Sequence, residues 1–190
     1  MSRLAAMPSQ TVGPFFHFAL TTNSALGAMA GADAKGERIR LKLRLLDGEG
    51  APVPDGIFEL WQADASGVYR HPGDGRVSEC DRSFHGFGRM QTEAEGAAIF
   101  ETVRPGRVTD DRGGWQSPHI NVTIFARGLC SHLFTRIYFE DDPSLDSDPA
   151  LNAVPAERRA TLIAHAGSEA GLWIRDIRLQ GADETVFFDL

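Results

Sequence analysis

Strict alternation of charged and aliphatic residues runs through Arg38-Ile-Arg-Leu-Lys-Leu-Arg-Leu-Leu46, a period of two that predicts a strand with one wet face. The same period recurs just past the middle of the chain. From His119 onward, Ile120, Val122 and Ile124 point one way, while His119, Asn121 and Thr123 point the other. Further short runs with Gly- or Asp-rich turns between them read as strands: Val53 to Ala63, Phe84 to Thr92, Ala98 to Val103, Leu129 to Glu140, Leu172 to Gln180 and Thr185 to Leu190. Pro8 to Phe18 carries Gly13-Pro14 in its middle, which predicts an extended arm over residues 1–20 rather than a helix. Its phenylalanines need cover, from this chain or from a neighbour. One helix is predicted near 154–165, with Pro155 in its first turn and Ala160 and Ile163 at helical spacing. Many short strands with turn chemistry between them predict an all-β chain. The expected form is an antiparallel β-sandwich with long loops, built as a single domain over 1–190.

Composition narrows the function classes. Formal charge is −7, from 19 basic and 26 acidic residues, which argues against nucleic acid or an acidic membrane surface as partner. No apolar run approaches the ~18 residues of a membrane helix, and the first residues do not form a secretory signal. Cys80 and Cys130 share no metal-type spacing and read as reduced thiols, so the expected location is cytoplasmic.

The chemistry begins at His119 and Asn121. Residues i and i+2 of a strand project in parallel, so two histidines there would form a metal clamp, but this chain has an amide at the second place. Of the other histidines, His17, His71, His85, His132 and His165, none has a partner at ligand spacing. His71 stands out because it lies two residues past Tyr69 in a polar loop. Tyr138 reads as core or interface.

Several motifs in one order resemble the intradiol ring-cleavage dioxygenases. They are Pro8-Ser-Gln-Thr-Val-Gly-Pro-Phe15, Leu60-Trp-Gln-Ala-Asp-Ala-Ser-Gly-Val-Tyr69, Phe87-Gly-Arg, Pro105-Gly, Pro118-His-Ile-Asn121, Phe125-Ala-Arg-Gly and Arg136-Ile-Tyr-Phe. The resemblance covers Pro8 to Leu190, implies the β-sandwich already read, and extends to an alpha-like ending, Glu184-Thr-Val-Phe-Phe-Asp. It implies a hetero-oligomer in which an alpha chain pairs with a related beta chain. The beta chain holds Fe(3+) with two tyrosinates and two histidines, and O2 cleaves an aromatic catecholic acid. Hard phenolate oxygens suit the trivalent ion.

Carried over residue by residue, Tyr69 matches the first tyrosine ligand and His119 the first histidine. The second tyrosine falls at Val108 and the second histidine at Asn121, while an arginine of the catalytic chain falls at Gln116. The implied role is an iron-free subunit with no complete catalytic or metal site. Tyr69 and His119 remain as relics, and no cofactor binds to this chain alone. The resemblance also implies that Thr11, Gly13 and Pro14 of the arm wall the beta-chain site and that Arg127 lends it a charge near the substrate; from the residues alone, Arg127 reads equally as a surface salt bridge. Two alternatives come from other classes. One is a free-standing β-sandwich binding module that has lost the chemistry, and the other is a self-sufficient metalloenzyme using Tyr69, His119 and a further donor such as His71.

Overall fold

The computed structural model describes residues 6–13, 15–22, 24–110 and 113–189. Ten strands occur among them: β1 (Arg38–Leu46), β2 (Ile57–Trp61), β3 (Phe87–Gln91), β4 (Ala97–Val103), β5 (Val108–Thr109), β6 (Trp115–Gln116), β7 (Ile120–Phe125), β8 (Leu133–Phe139), β9 (Ile163–Ala166) and β10 (Leu172–Arg178). Eight form one sheet in the order β3-β2-β7-β8-β9-β10-β1-β4, and β5 and β6 pair apart from it. The short β9 bridges its two halves, pairing through Ile163 and Ala164 with β8 and through His165 and Ala166 with β10. On either side of it the halves pack face to face as a sandwich. Leu41, Leu43, Leu45 and Phe100 of one half share a core with Phe58, Leu60, Ile120, Val122, Ile124 and Ile137 of the other. Each such side chain contributes about 1.5–3 kcal/mol on burial.

Alternation accounts for β1 and β7. Ile39, Leu41, Leu43 and Leu45 are buried while Arg40, Lys42 and Arg44 on the other face stay partly in water; Ile120, Val122 and Ile124 are likewise sealed. Five of the seven pairings in the large sheet are antiparallel, as expected. The β1–β10 and β8–β9 pairings are parallel. Periodicity says which face of a strand is buried, not which distant strand lies beside it.

Three local expectations change. The helix expected near 154–165 is a 3-10 helix over Ala156–Leu162, after which the chain enters β9. Backbone pairing between β8 and β10 claims Ile163 to Ala166, and Leu162 packs with Tyr138, Leu151 and Val154. The arm has no regular element over 6–13, but Phe16–Leu20 forms a short helix, α1, opened by a 3.1 Å bond from the Phe16 N–H to the Gly13 carbonyl. The closing segment 185–189 forms no strand. Isolated bonds hold it instead, from the Thr185 N–H to the Arg178 carbonyl at 3.0 Å and from the Phe188 N–H to the Phe134 carbonyl at 2.7 Å.

Candidate functional site

The loop after β2 delivers Tyr69. Its fold is dictated by Asp64, whose carboxylate accepts the N–H groups of Ser66, Val68 and Asp81 at 2.8, 3.0 and 2.9 Å. Gly67 has φ 76°, and a Cβ there would stand 1.9 Å from the Arg107 carbonyl oxygen. Glycine alone lets the Pro105–Val108 segment approach this closely. Tyr69 then stacks on Trp61 at 6.0 Å, and Val108 joins Trp61, Tyr69, His71, Arg76 and Thr109 around a cleft of about 450 Å³.

His119 sits just ahead of β7, 3% exposed. Its Nδ1 lies 2.8 Å from the Ser117 carbonyl. A carbonyl can only accept, so Nδ1 carries the proton and Nε2 faces the Tyr69 hydroxyl, 3.5 Å away, as an acceptor. Burial pushes the imidazole down to about 4, and the Arg136 charge acts in the same direction, so the ring is neutral at pH 7. Asn121 donates through Nδ2 to the Tyr69 hydroxyl at 3.3 Å and to the Trp61 carbonyl at 3.2 Å. Burial raises the Tyr69 pKa above its ordinary value, which keeps the phenol protonated. Arg136 on β8 lies opposite Asn121 and donates to Gln116 Oε1 at 2.6 Å.

Behind this cluster stands Asp148, fully buried, the N-cap of a second short helix, α2 (Pro149–Asn152). Its carboxylate accepts from the Ser117 and Leu151 N–H groups, both at 2.7 Å, and from the Tyr138 hydroxyl at 3.1 Å. Through Ser117 it fixes the carbonyl that orients His119.

The donor set does not fit ferric iron. It consists of a protonated phenol, a neutral imidazole, an amide whose nitrogen already makes two hydrogen bonds, and the aliphatic Val108. Trivalent iron needs anionic oxygen donors. His71 stands edge-on to Trp61 at 6.2 Å and shares the cleft, but its Nδ1 already accepts the Gly73 N–H at 3.0 Å. Among the described residues, no three His, Cys, Asp or Glu gather as a metal-holding group.

A second cluster lies at the other end of β7. Thr11 Oγ1 accepts the Gly128 N–H at 2.7 Å, which docks the arm on the turn that carries Arg127. Arg127 reaches Asp55 at 2.7 Å, and its side chain is still 57% exposed. Gly13 is exposed close by in the arm's chain, and Pro14 lies outside the described residues. Phe15 and Phe18 are 75% and 61% exposed. Six strand residues at ~3.3 Å each put about 20 Å between this cluster and His119.

A family model described as Dioxygenase matches residues 12–181. Over 204 residues the chain is 40% identical to the protocatechuate 3,4-dioxygenase alpha chain of Burkholderia cepacia, covering 100% of both. The chain belongs to the intradiol dioxygenase family. It is also 35% identical over 185 residues to the protocatechuate 3,4-dioxygenase beta chain of Burkholderia cepacia, covering 93% of this chain and 77% of that one. The catechol 1,2-dioxygenase structure from Acinetobacter sp. ADP1 superposes with a TM-score of 0.64 at 20% identity over 80% of this chain and 55% of that one, a likeness of fold. Intradiol dioxygenases as a family depend on iron.

The structure brings Tyr69, His119 and Asn121 into contact and places Val108 with Tyr69 on the wall of the cleft beside Trp61, while Thr11 and the turn that carries Arg127 meet at the far end of β7. Sequence reading missed Trp61, whose place opposite Asn121 comes from the β2–β7 register and not from either strand alone. It also missed Ser117, for which no local pattern gives a sign, Asp148, whose Asp-Pro pair marks a helix start but not its contacts with Ser117 and Tyr138, and Asp55, which reaches Arg127 from the Pro54-Asp55-Gly56 turn with a φ of 61°.

Proposed function

We propose that this chain is the alpha subunit of a protocatechuate 3,4-dioxygenase. In the assembled enzyme a related beta chain holds ferric iron, and dioxygen cleaves protocatechuate between its two hydroxyl-bearing carbons to 3-carboxy-cis,cis-muconate. The observation that carries this reading is the separation of two clusters along β7. The pocket at Tyr69 and His119 lacks the donors for the metal. The groups suited to a carboxylated substrate, Arg127 and the arm at Thr11 and Gly13, lie about 20 Å away at the opposite end of the strand. Groups so placed cannot act on one molecule bound within this chain, but they can wall a site that belongs to a neighbour.

The arm supports the same assignment. Phe15 and Phe18 leave most of their surface exposed, and covering each would contribute up to about 1.5–3 kcal/mol to association. Arg127 supplies a guanidinium suited to a carboxylate, because the fork of N–H donors matches two oxygens. Its present bond to Asp55 is half in water and costs little to exchange, about 0–1 kcal/mol. Cys80 and Cys130 are both free thiols, which fits a reducing compartment, and no helix among the described residues is long and apolar enough to cross a membrane. The cytoplasm is the proposed location. A free-standing binding module is not favoured, since the similarity to an alpha chain spans both proteins end to end.

Co-expression tests the reading. With a beta chain that carries both tyrosines and both histidines, this chain should co-purify and yield protocatechuate-dependent oxygen uptake. Without that partner it should consume none. Ring cleavage by the chain alone, or failure to associate with any such partner, overturns it.

A further inference from the structure

Arg127 is held from two sides. Its Nη2 stands 2.7 Å from an Asp55 carboxylate oxygen, and the next N–H along the chain, that of Gly128, is bound by Thr11 Oγ1. The β2–β7 ladder ends at the pair Ile57 and Phe125, so the Pro54-Asp55-Gly56 turn and the segment Ala126-Arg127-Gly128 leave the sheet side by side. Asp55 has φ 61°, the one positive value outside glycine among the described residues. Such a conformation persists only where its surroundings over-determine it. Here the buried Thr92 does so. Its Oγ1 accepts the Gly56 N–H and donates to the Val53 carbonyl, both at 2.8 Å. Its carbonyl accepts the Asp55 N–H at 3.3 Å, and its N–H donates to the Gly56 carbonyl at 2.8 Å. A Cβ on Gly56 would stand 2.6 Å from Leu45 Cδ2, so the turn is seated directly on the core.

We infer that Asp55 is the positioning residue of Arg127: a backbone fixed by the core holds the Asp55 carboxylate against Nη2 and so aims the rest of the guanidinium at the substrate carboxylate in the beta-chain site. The inference rests on reading this chain as the subunit that lends Arg127, and adds the device that points it. Cheap as the pair is to exchange, it need not be exchanged. A guanidinium donates along more than one edge, Asp55 is its sole ion-pair partner among the described residues, and 57% of the Arg127 side chain is exposed. So wet a pair adds little to stability, and its effect lies in where the guanidinium points. A long side chain without such a hold gives up rotamer freedom when it binds, which weakens binding.

Four variants of the co-purified complex test this: Asp55→Gly, Asp55→Asn, Arg127→Ala, and Asp55→Gly combined with Arg127→Ala. Glycine and asparagine both accept a positive φ, so the turn keeps its shape. The readout is the dissociation constant of protocatechuate, and that of catechol, which lacks the carboxylate. Both are titrated without oxygen through the visible absorbance of the ferric centre, so turnover is not needed. Asp55→Gly should weaken protocatechuate binding about three- to tenfold, the effect of releasing one long side chain, and leave catechol within twofold. Asp55→Asn keeps an acceptor oxygen and should lose less than Asp55→Gly. In the combined variant, Asp55→Gly should add nothing to the loss caused by Arg127→Ala. A protocatechuate loss under threefold overturns the inference, as does an equal loss for catechol, an equal or greater loss with asparagine, or additive losses in the combined variant. Tighter binding overturns it too, since Asp55 would then be a rival of the substrate. If Arg127→Ala itself leaves protocatechuate binding unchanged, the lent charge fails together with its aim. If Arg127→Ala weakens binding and Asp55→Gly does not, the role of Asp55 alone falls.

Discussion

Replacing Arg127 by alanine separates a structural from a substrate-binding role. In the chain alone, the Arg127–Asp55 pair spans 2.7 Å with side chains 57% and 23% exposed. Pairs in that setting contribute about 0–1 kcal/mol, so Arg127→Ala should lower the melting temperature of a chain this size by no more than about 2–4 °C. If the guanidinium holds a substrate carboxylate in the assembled enzyme, a charge-assisted hydrogen bond worth about 1.5–3 kcal/mol is lost. At 1.4 kcal/mol per factor of ten, KM for protocatechuate rises about 10- to 100-fold. The contact is made equally in ground and transition states, so kcat should stay within a few-fold. The assay is steady-state oxygen uptake by the co-purified complex, with iron content and melting measured on the same samples. Arg127→Lys keeps the charge but not the fork and should fall between the two. A KM within twofold of the unmodified complex refutes the assignment, and a rise that merely accompanies lost iron or lost assembly refutes it as well.

Other consequences follow from particular contacts. Thr11→Val removes the acceptor of the Gly128 N–H and should speed amide exchange at Gly128 about fivefold, the effect of about 1 kcal/mol, while leaving core amides unchanged. Unchanged exchange would mean that the arm is held by other contacts. Asp148→Ala strands two buried N–H groups and the Tyr138 hydroxyl and should cost about 3 kcal/mol in urea denaturation; a loss under about 1 kcal/mol contradicts its role as organiser. His119 has a folded pKa depressed from 6.5 to about 4, so between those values the unfolded chain binds the extra proton. Stability should therefore fall as pH drops from 6.5 toward 4, by on the order of 3 kcal/mol, and His119→Gln should flatten that slope. A slope that survives the substitution assigns it to other groups.

What could be read from the sequence was whatever a single strand decides for itself. Alternation in Arg38–Leu46 and from Ile120 onward fixed which side chains enter the core, because each strand has one face in it. It also set His119 beside Asn121, and both do touch the Tyr69 hydroxyl. Pairing across distance was beyond such reading. Ile163 to Ala166 looks helical by spacing and becomes β9 only because β8 and β10 leave a place between them. Asp148 belongs by sequence to an acidic stretch over 141–148, and only the fold puts it under Tyr138. Arg136 entered only as part of the Arg136-Ile-Tyr-Phe motif, and its position opposite Asn121 and in reach of Gln116 emerges from register alone.

Anomalous scattering at the iron edge, recorded on crystals of the co-purified complex, asks the central question most directly. The account predicts an iron peak at the beta-chain ligands and none between Tyr69 and His119. A peak at that second place, held by this chain's own side chains, would contradict it.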